Sequence, residues 1–511
     1  MLSLTPIQSV TSTALVFVVS LMGIFGLNNC ILACFRKICS YPPSLIQKGM
    51  NGCIEWPFVT IQVATYNEGP TVARLLESCL KIDYPSDKFE IIVVDDSTDE
   101  TLSILMEYEK QYYPKIRVIH RESRAGYKAG ALNEALKNSR GEFILVLDAD
   151  SVLKPDFLKK TIPLFLANRK LGFIQGRLKY LNKKKSWLTR TLAIVNDWFV
   201  YFLQSSLSKC GMIIGFMGHG GIFRREALDD VGGWATDTIA EDLDIAYRIQ
   251  LKGWDALYFE NASSLEEVPP SYYSAVIRFR RHFKGSVQNL MKHWRSIIRH
   301  RSLSLFKKIE ALMQLAYSLV YPLGLICLAL TITTYAIVPR NIIDEFWLSP
   351  AGFLSSSLLL VFFPQIAIMI APIPSFIVAL AVSAFILLFF PGFVKILGHE
   401  ILGERGGIDV RAVFGLILIW YDNMLNCLFP IANILMGRKE EWVPTERIKK
   451  RNTYADKGGR KKEFALRLAA SALITLLFIN ILLSNLSLNS FGILLPAISW
   501  LYSAYLVIRK R

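Results

Sequence analysis

"FILVLDADSV", Phe143 to Val152, is an apolar run that ends in two carboxylates one residue apart, Asp148 and Asp150. The run reads as a buried strand, and its neighbours follow the same plan. "VTIQVATYNEG", from Val59, is a short β-rich run that ends in polar turn residues. "PTVARLLESCLK" follows with apolar residues at helical spacing. "EIIVVDDSTDE" repeats the scheme and meets acids at Asp95 and Asp96. A strand at "IRVIH" and a helix at "KAGALNEALKNS" then lead into "FILVLDAD". Strands alternating with helices predict a mainly parallel α/β sheet.

In such sheets ligands bind at the carboxyl ends of the strands. Asp95, Asp96, Asp148 and Asp150 all fall at strand carboxyl ends, so the pattern gathers them on one sheet edge. One such Asp is explained by capping of the next helix. Clustered carboxylates repel one another unless a cation sits among them. A hard divalent cation takes oxygen ligands and shares its remaining positions with water or phosphates. D-x-D after a strand therefore suits Mg²⁺ or Mn²⁺ carrying a diphosphate.

The chain of 511 residues is 52% hydrophobic, and its mean hydropathy of +0.35 is high for a soluble protein. Its apolar residues are unevenly spread. Thr13–Phe35 carries no charge, a mixed region runs to about Leu305, and long apolar runs follow. This divides the chain into an N-terminal membrane anchor at 1–38, a soluble domain at 39–305 and a membrane bundle at 306–511. A span needs about 20 apolar residues. Seven stretches qualify, at about 13–35, 312–338, 352–371, 375–396, 411–433, 464–484 and 490–508. Three basic clusters then agree on one orientation by the positive-inside rule. They are Arg36 with Lys37, the loop at 437–463, and Arg509-Lys510-Arg511. All fall on the cytosolic side, with the soluble domain, of a multi-pass cell-membrane protein.

The net charge of +16 is concentrated in segments that this topology already makes basic. It points to membrane lipids, not to nucleic acid. The eight cysteines form no C-x-x-C pair, so zinc is not expected, and a cytosolic domain implies no disulfides.

Several motifs, in order, carry a family resemblance. They are "TYNEG", "VVDDSTDET", "HRESRAGYKAGALNEAL", "DAD", "QGRLKYLNKKKSWLTR", "GHGGIFRR" and "TIAEDLDIAYRIQLKGW". Over about residues 55–325 the chain resembles the membrane-embedded, cellulose-synthase-like branch of the family 2 glycosyltransferases. The resemblance implies a GT-A-type, Rossmann-like domain beside an α-helical bundle. It implies inverting transfer from a UDP- or GDP-sugar, dependent on Mn²⁺ or Mg²⁺. Asp95 and Asp96 would hold the uracil or ribose side of the donor, and Lys128 its phosphates. Asp148 and Asp150 would bind donor and metal. Asp242, beside Glu241 in "AEDLD", would be the general base. Both acids lie at a helix start, whose dipole favours the ionised carboxylate.

Two segments depart from the family pattern. Where the family has Q-x-x-R-W, this chain has Arg278, Arg281 and His282 in "VIRFRRHFKG". Arg281 still suits a diphosphate, but His282 replaces the Trp that stacks on an acceptor sugar. The segment also reads as a basic helix on lipid headgroups. His219 stands where the family has a small residue near the acceptor, so it and Arg278 join His282 as acceptor-side candidates. The leading expectation is a processive β-glycan synthase that exports its product, with the loop after the fifth span covering the site. A single transfer to a lipid acceptor is the alternative enzyme. A non-catalytic transport or scaffold protein is the alternative of another class.

Overall fold

The computed structural model describes residues 5–39, 41, 55–337, 410–437, 454–485 and 493–509. Its centre is an eight-stranded sheet in the order β3-β2-β1-β4-β7-β6-β8-β5. The strands are β1 Val59–Thr65, β2 Phe89–Asp95, β3 Ile116–His120, β4 Phe143–Asp148, β5 Val152–Leu153, β6 Leu171–Tyr180, β7 Gly221–Arg224 and β8 Asp255–Glu266. β1 to β4 are mutually parallel, as expected. Beyond β4 the sheet is mixed: β7 runs antiparallel to β4 and β6, and β5 antiparallel to β8. Strand order reverses between β1 and β4, and a crevice opens at their carboxyl ends. Ala64 lies opposite Asp148 in that register.

Around the sheet, in chain order, are α1 Pro6–Ile38, α2 Pro70–Leu80, α3 Thr101–Tyr112, α4 Tyr127–Asn138, α5 Phe157–Ala167 and α6 Trp187–Asn196. A π-helical turn, Asp197–Leu203, leads to α7 Gln204–Lys209, α8 Arg225–Asp230, α9 Glu241–Leu251 and α10 Tyr272–Arg299. Next come α11 Leu305–Ala316, α12 Val320–Ile337, α13 Val410–Asn426, α14 Leu428–Leu435, α15 Tyr454–Asn485 and α16 Leu494–Ile508.

The apolar run of β4 is buried on both faces because its side chains alternate between two layers. Phe143, Leu145 and Leu147 join the core beneath α2 and α5. Ile144 and Val146 join the opposite core, with Leu132 of α4 and Ile245 and Ile249 of α9.

Among the described residues, four helices are long and apolar enough to cross a membrane: Pro6–Asn29, Leu305–Thr334, Phe414–Leu435 and Gly458–Ile481. The shorter Leu494–Ile508 corresponds to the last expected span. The stretches expected at 352–371 and 375–396 lie outside the described residues, as does most of the loop at 437–463. The described end of that loop is already helical, since α15 starts at Tyr454. Glu463 and Arg467 are an i,i+4 ion pair on it, and both are buried against other helices. Glu463, one of the charges that mark a loop in the sequence, has two partners here, Arg280 and Arg467. α1 packs on α12, and Leu15, Val19, Met22 and Leu328 share a buried cluster with Tyr421 of α13.

Candidate active site

A cavity of about 450 Å³ lies at the crevice and runs from the sheet edge to the bundle. Asp96, Lys128, Asp148, His219, Glu241, Asp242, Arg278, Arg281 and His282 all line it. Nine of the residues expected from the sequence thus converge, whereas Asp95 and Asp150 do not line it. Asp95 is fully buried and bonded to His120 Nδ1 at 2.8 Å. Asp150 is 1% exposed, and its Oδ2 accepts from the Glu267 N–H at 3.4 Å. Asp96 reaches the cavity, held in a fork by Arg121 Nε and Nη2 at 2.7 and 2.6 Å.

Lys128, in the first turn of α4, is the hub. Its ammonium donates to Asp148 Oδ1 at 2.5 Å and to the Gly218 carbonyl at 2.8 Å. It lies 3.9 Å from Glu241 Oε1. Burial works against the charged amine, but Asp148 and Glu241 outweigh it and raise the pKa above the ordinary lysine value. Gly218 has φ +88°, and a Cβ there would stand 3.0 Å from Asp242 Oδ2. Backbone conformation and space both call for glycine. Gln175 of β6 braces this loop, accepting from Met217 N–H at 2.9 Å and donating to the His219 carbonyl at 3.2 Å.

Glu241 and Asp242 open α9, with the Asp242 carboxylate accepting from Leu243 N–H at 2.8 Å. Burial lifts Glu241 to about 7, and Asp242 beside it adds to the rise. Burial raises Asp242 too, against the opposing Lys128 and Arg281 cations. The helix dipole expected to keep both ionised is therefore outweighed by enclosure and mutual repulsion. A carboxylate with a raised pKa is a better proton acceptor near neutral pH.

His219 is 2% exposed. Its Nδ1 is 3.0 Å from Ser151 Oγ, and its Nε2 is 3.3 Å from Glu266 Oε2. Both ring nitrogens face protein groups behind the D-x-D turn, which suits a bracing role better than contact with an acceptor. Glu266 also meets Arg278 at 3.5 Å. His282 opens onto the cavity. Enclosure by the walls, with Arg278 and Arg281 adjacent, holds its imidazole neutral, well below the usual range.

Glu266, Gln175, and Tyr66 with Arg124 escaped the sequence reading. The Arg124 guanidinium stacks 3.5 Å from the Tyr66 ring centroid, and both line the cavity. "TYNEG" and "SRAG" contained the last pair, but nothing in them says that they meet. α10 closes the site from the bundle side. Gln288 accepts from Ile239 N–H at 3.0 Å, and Asn289 donates to the Ala240 carbonyl at 3.1 Å.

Among the described residues no three His, Cys, Asp or Glu groups form a ready metal cage. The donor set still fits a hard cation. Asp148 presents a carboxylate 27% open to the cavity and already holds a cation, Lys128. A metal here would take its other oxygens from substrate phosphates and water.

Residues 60–232 match the family described as "Glycosyl transferase family 2". The chain is 31% identical over 294 residues to glucomannan 4-beta-mannosyltransferase 2 of Arabidopsis thaliana, covering 56% of this chain and 54% of that one. It is 32% identical over 288 residues to a beta-monoglucosyldiacylglycerol synthase of Nostoc sp., covering 56% and 59%. The chain thus spans a little over half the length of these curated relatives. Among solved structures, the mannosyltransferase PcManGT from Pyrobaculum calidifontis, in complex with GDP-Man and Mn²⁺, superposes with a TM-score of 0.52 at 23% identity, covering 73% of this chain and 99% of that one. That likeness is one of fold. With the family match, the relatives and the sheet-edge site together, the chain carries a family 2 glycosyltransferase domain and is related to the cellulose-synthase-like enzymes of that family.

Proposed function

We propose that the protein transfers a sugar, with inversion, from a nucleotide diphosphate sugar to an acceptor held where the cavity meets the membrane bundle. The observation that carries this reading is the continuity of the cavity. Asp96, Asp148 and Asp242 line one part of it, and Tyr321, Asn423 and Asn426 of the membrane-spanning helices line another. The donor enters on the sheet side, taken to be cytosolic. Its diphosphate lies near Lys128 and Arg281, whose cations stabilise the charge that gathers as the bond from the anomeric carbon to phosphate breaks. Asp148, with Asp150 behind it, would hold Mn²⁺ or Mg²⁺, which supplies Lewis-acid stabilisation of the leaving diphosphate when bound. Asp242 takes the proton of the acceptor hydroxyl as its oxygen bonds to the anomeric carbon. Apolar lining residues such as Leu192, Val195 and Phe199 and the polar bundle end at Asn423 and Asn426 admit either a growing glycan or a lipid acceptor. A processive β-glycan synthase is the leading version, and the mannosyltransferase relatives support it. The diacylglycerol-type relative favours single transfer to lipid as the second.

The test uses full-length protein in nanodiscs with Mn²⁺. Radiolabelled UDP-glucose, UDP-N-acetylglucosamine and GDP-mannose are offered separately and the product is sized. Long chains support the synthase, and one sugar extractable with lipid supports the second version. Output that persists unchanged in Asp242→Asn would remove the enzyme reading in favour of a non-catalytic membrane protein.

A further inference from the structure

Three arginines, Arg278, Arg280 and Arg281, stand close together on α10. Arg278 and Arg281 line the cavity and Arg280 does not. Two residues beyond Arg278, it lies about 200° further round a helix of 3.6 residues per turn. There it grips Glu463 of α15 in a fork, with Nη1 and Nη2 2.7 and 2.8 Å from the two carboxylate oxygens. Its guanidinium also stacks 4.1 Å from the Phe429 ring centroid of α14.

The chain of contacts continues inward. Glu463 pairs with Arg467 one turn along α15. Arg467 is fully buried and forks onto Asp422 of α13 at 2.8 and 2.9 Å. It donates as well to Asn426 Oδ1 at 2.7 Å, and Ser503 of α16 donates to Asp422 at 2.7 Å. Two cations and two anions thus join the cavity helix to three helices of the bundle. Ionisable groups at membrane depth are costly and persist where they have work to do. Buried ion pairs stabilise poorly compared with apolar packing of the same volume, and their best-attested use is to fix register.

We infer that the Arg280–Glu463–Arg467–Asp422 chain positions α10 against the bundle, and so sets where Arg278 and Arg281 stand in the cavity. Arg280 and Glu463 are positioning residues, since they act through α10 and do not line the cavity themselves. The inference rests on the proposed transfer reaction for its kinetic readout.

The test compares the wild type with the double variant Arg280→Met/Glu463→Met in nanodiscs. Arg467 and Asp422 remain as a neutral pair. Apolar replacement of a buried ion pair leaves the thermal midpoint unchanged or raised, and UDP and GDP affinities weaken because Arg281 shifts with α10. The kcat falls by about tenfold or more, as expected when reacting groups are displaced by fractions of an ångström. Arg280→Lys keeps the charge without the fork and gives an intermediate kcat. Spin labels at Met291 and at Leu435 of α14, both exposed, report the placement of α10 against the bundle without any turnover, and their distance distribution broadens in the double variant. A double variant with wild-type kcat and an unchanged distance distribution overturns the inference. So does a loss of activity that merely tracks the loss of folded protein. If the wild type itself turns over no donor, the functional reading fails, and the spin-label distances still decide the positioning claim.

Discussion

Helix α9 carries Asp242 and Asp244 two residues apart, and the two sides of the helix treat them in opposite ways. Asp242 faces the cavity, where burial raises its pKa, as it does that of Glu241 beside it. Asp244 faces α10. It meets His293 Nε2 and Lys292 Nζ at 2.8 Å each and Arg248 Nε at 2.6 Å. Despite its burial, these donors hold it well below the usual carboxylate range. The contrast separates chemistry from scaffold within one turn. A carboxylate with too few donors is a base in waiting, and one with every donor satisfied is a rivet.

The largest expected effect tests that division directly. Asp242→Asn keeps the shape and removes the base, so kcat falls by roughly 10²–10⁴-fold, while the thermal midpoint and nucleotide affinity hold. Asp244→Asn does the reverse. It leaves Arg248, Lys292 and His293 around a neutral amide and costs about 3 kcal/mol of stability, the low end for a broken buried pair because two of the cations reach solvent. Turnover per folded molecule stays near that of the wild type. Its pH signature follows from the depressed pKa. The stabilisation is present above the unfolded value of about 3.9 and is lost as pH falls through it towards the folded value. Denaturant titrations at neutral and acid pH check this, since the gap between wild type and Asp244→Asn narrows as the pH drops. Loss of turnover per folded molecule in Asp244→Asn would break the comparison.

Much of the site could be read in the sequence because its acids follow strands. Asp148 ends β4 and Asp242 opens α9, and Lys128, Asp96 and Arg281 converge with them as expected. The pair Asp95-Asp96 could not both face the cavity, since successive strand residues point to opposite faces. Asp95 turns to His120 instead. Asp148 and Asp150 share a parity, but β4 stops at Asp148, and the turn closed by Ser151 N–H on the Asp148 carbonyl at 2.9 Å sends Asp150 under Glu267. The illegible part is long-range. Arg280 and Glu463 lie 183 residues apart, and no local pattern joins them. The mixed half of the sheet was hidden for a similar reason. β7 and β4 are separated by 72 residues of intervening chain, from 149 to 220, with no turn that could announce their antiparallel pairing.

A smaller effect probes how α10 is seated on α9. A Cβ at Gly285 would fall 2.5 Å from the Ala240 Cβ and 3.2 Å from its backbone nitrogen. Neither is a flexible chain end, so the helices must move apart. Gly285→Ala therefore costs about 1–3 kcal/mol by overpacking. It also lowers kcat, because the hydrogen bonds from α10 to Ile239 and Ala240 hold the start of α9, which carries the proposed base. Ala240→Thr, which adds bulk at the same contact, also destabilises. Thermal midpoints with turnover at saturating donor check both variants. A fully stable Gly285→Ala would show that the close approach is not required.

The smallest effect is the most diagnostic of the cavity side. As the proposed base, Asp242 works only when ionised, so activity is expected to rise with pH as its proton leaves. Because burial raises that pKa, the acid limb of kcat/KM lies above the ordinary carboxylate range. Repulsion between the two acids is mutual. Glu241→Gln removes one charge and lets Asp242 ionise more easily, so the limb moves to lower pH. kcat/KM is the quantity to follow, because it reports ionisation in the free enzyme. Asp244→Asn leaves the limb where it is, since Asp244 is already ionised far below that range. A limb that shifts upward in Glu241→Gln, or one that responds equally to both variants, would mean that the two sides of α9 share one electrostatic environment. The division of labour between Asp242 and Asp244 would then be lost.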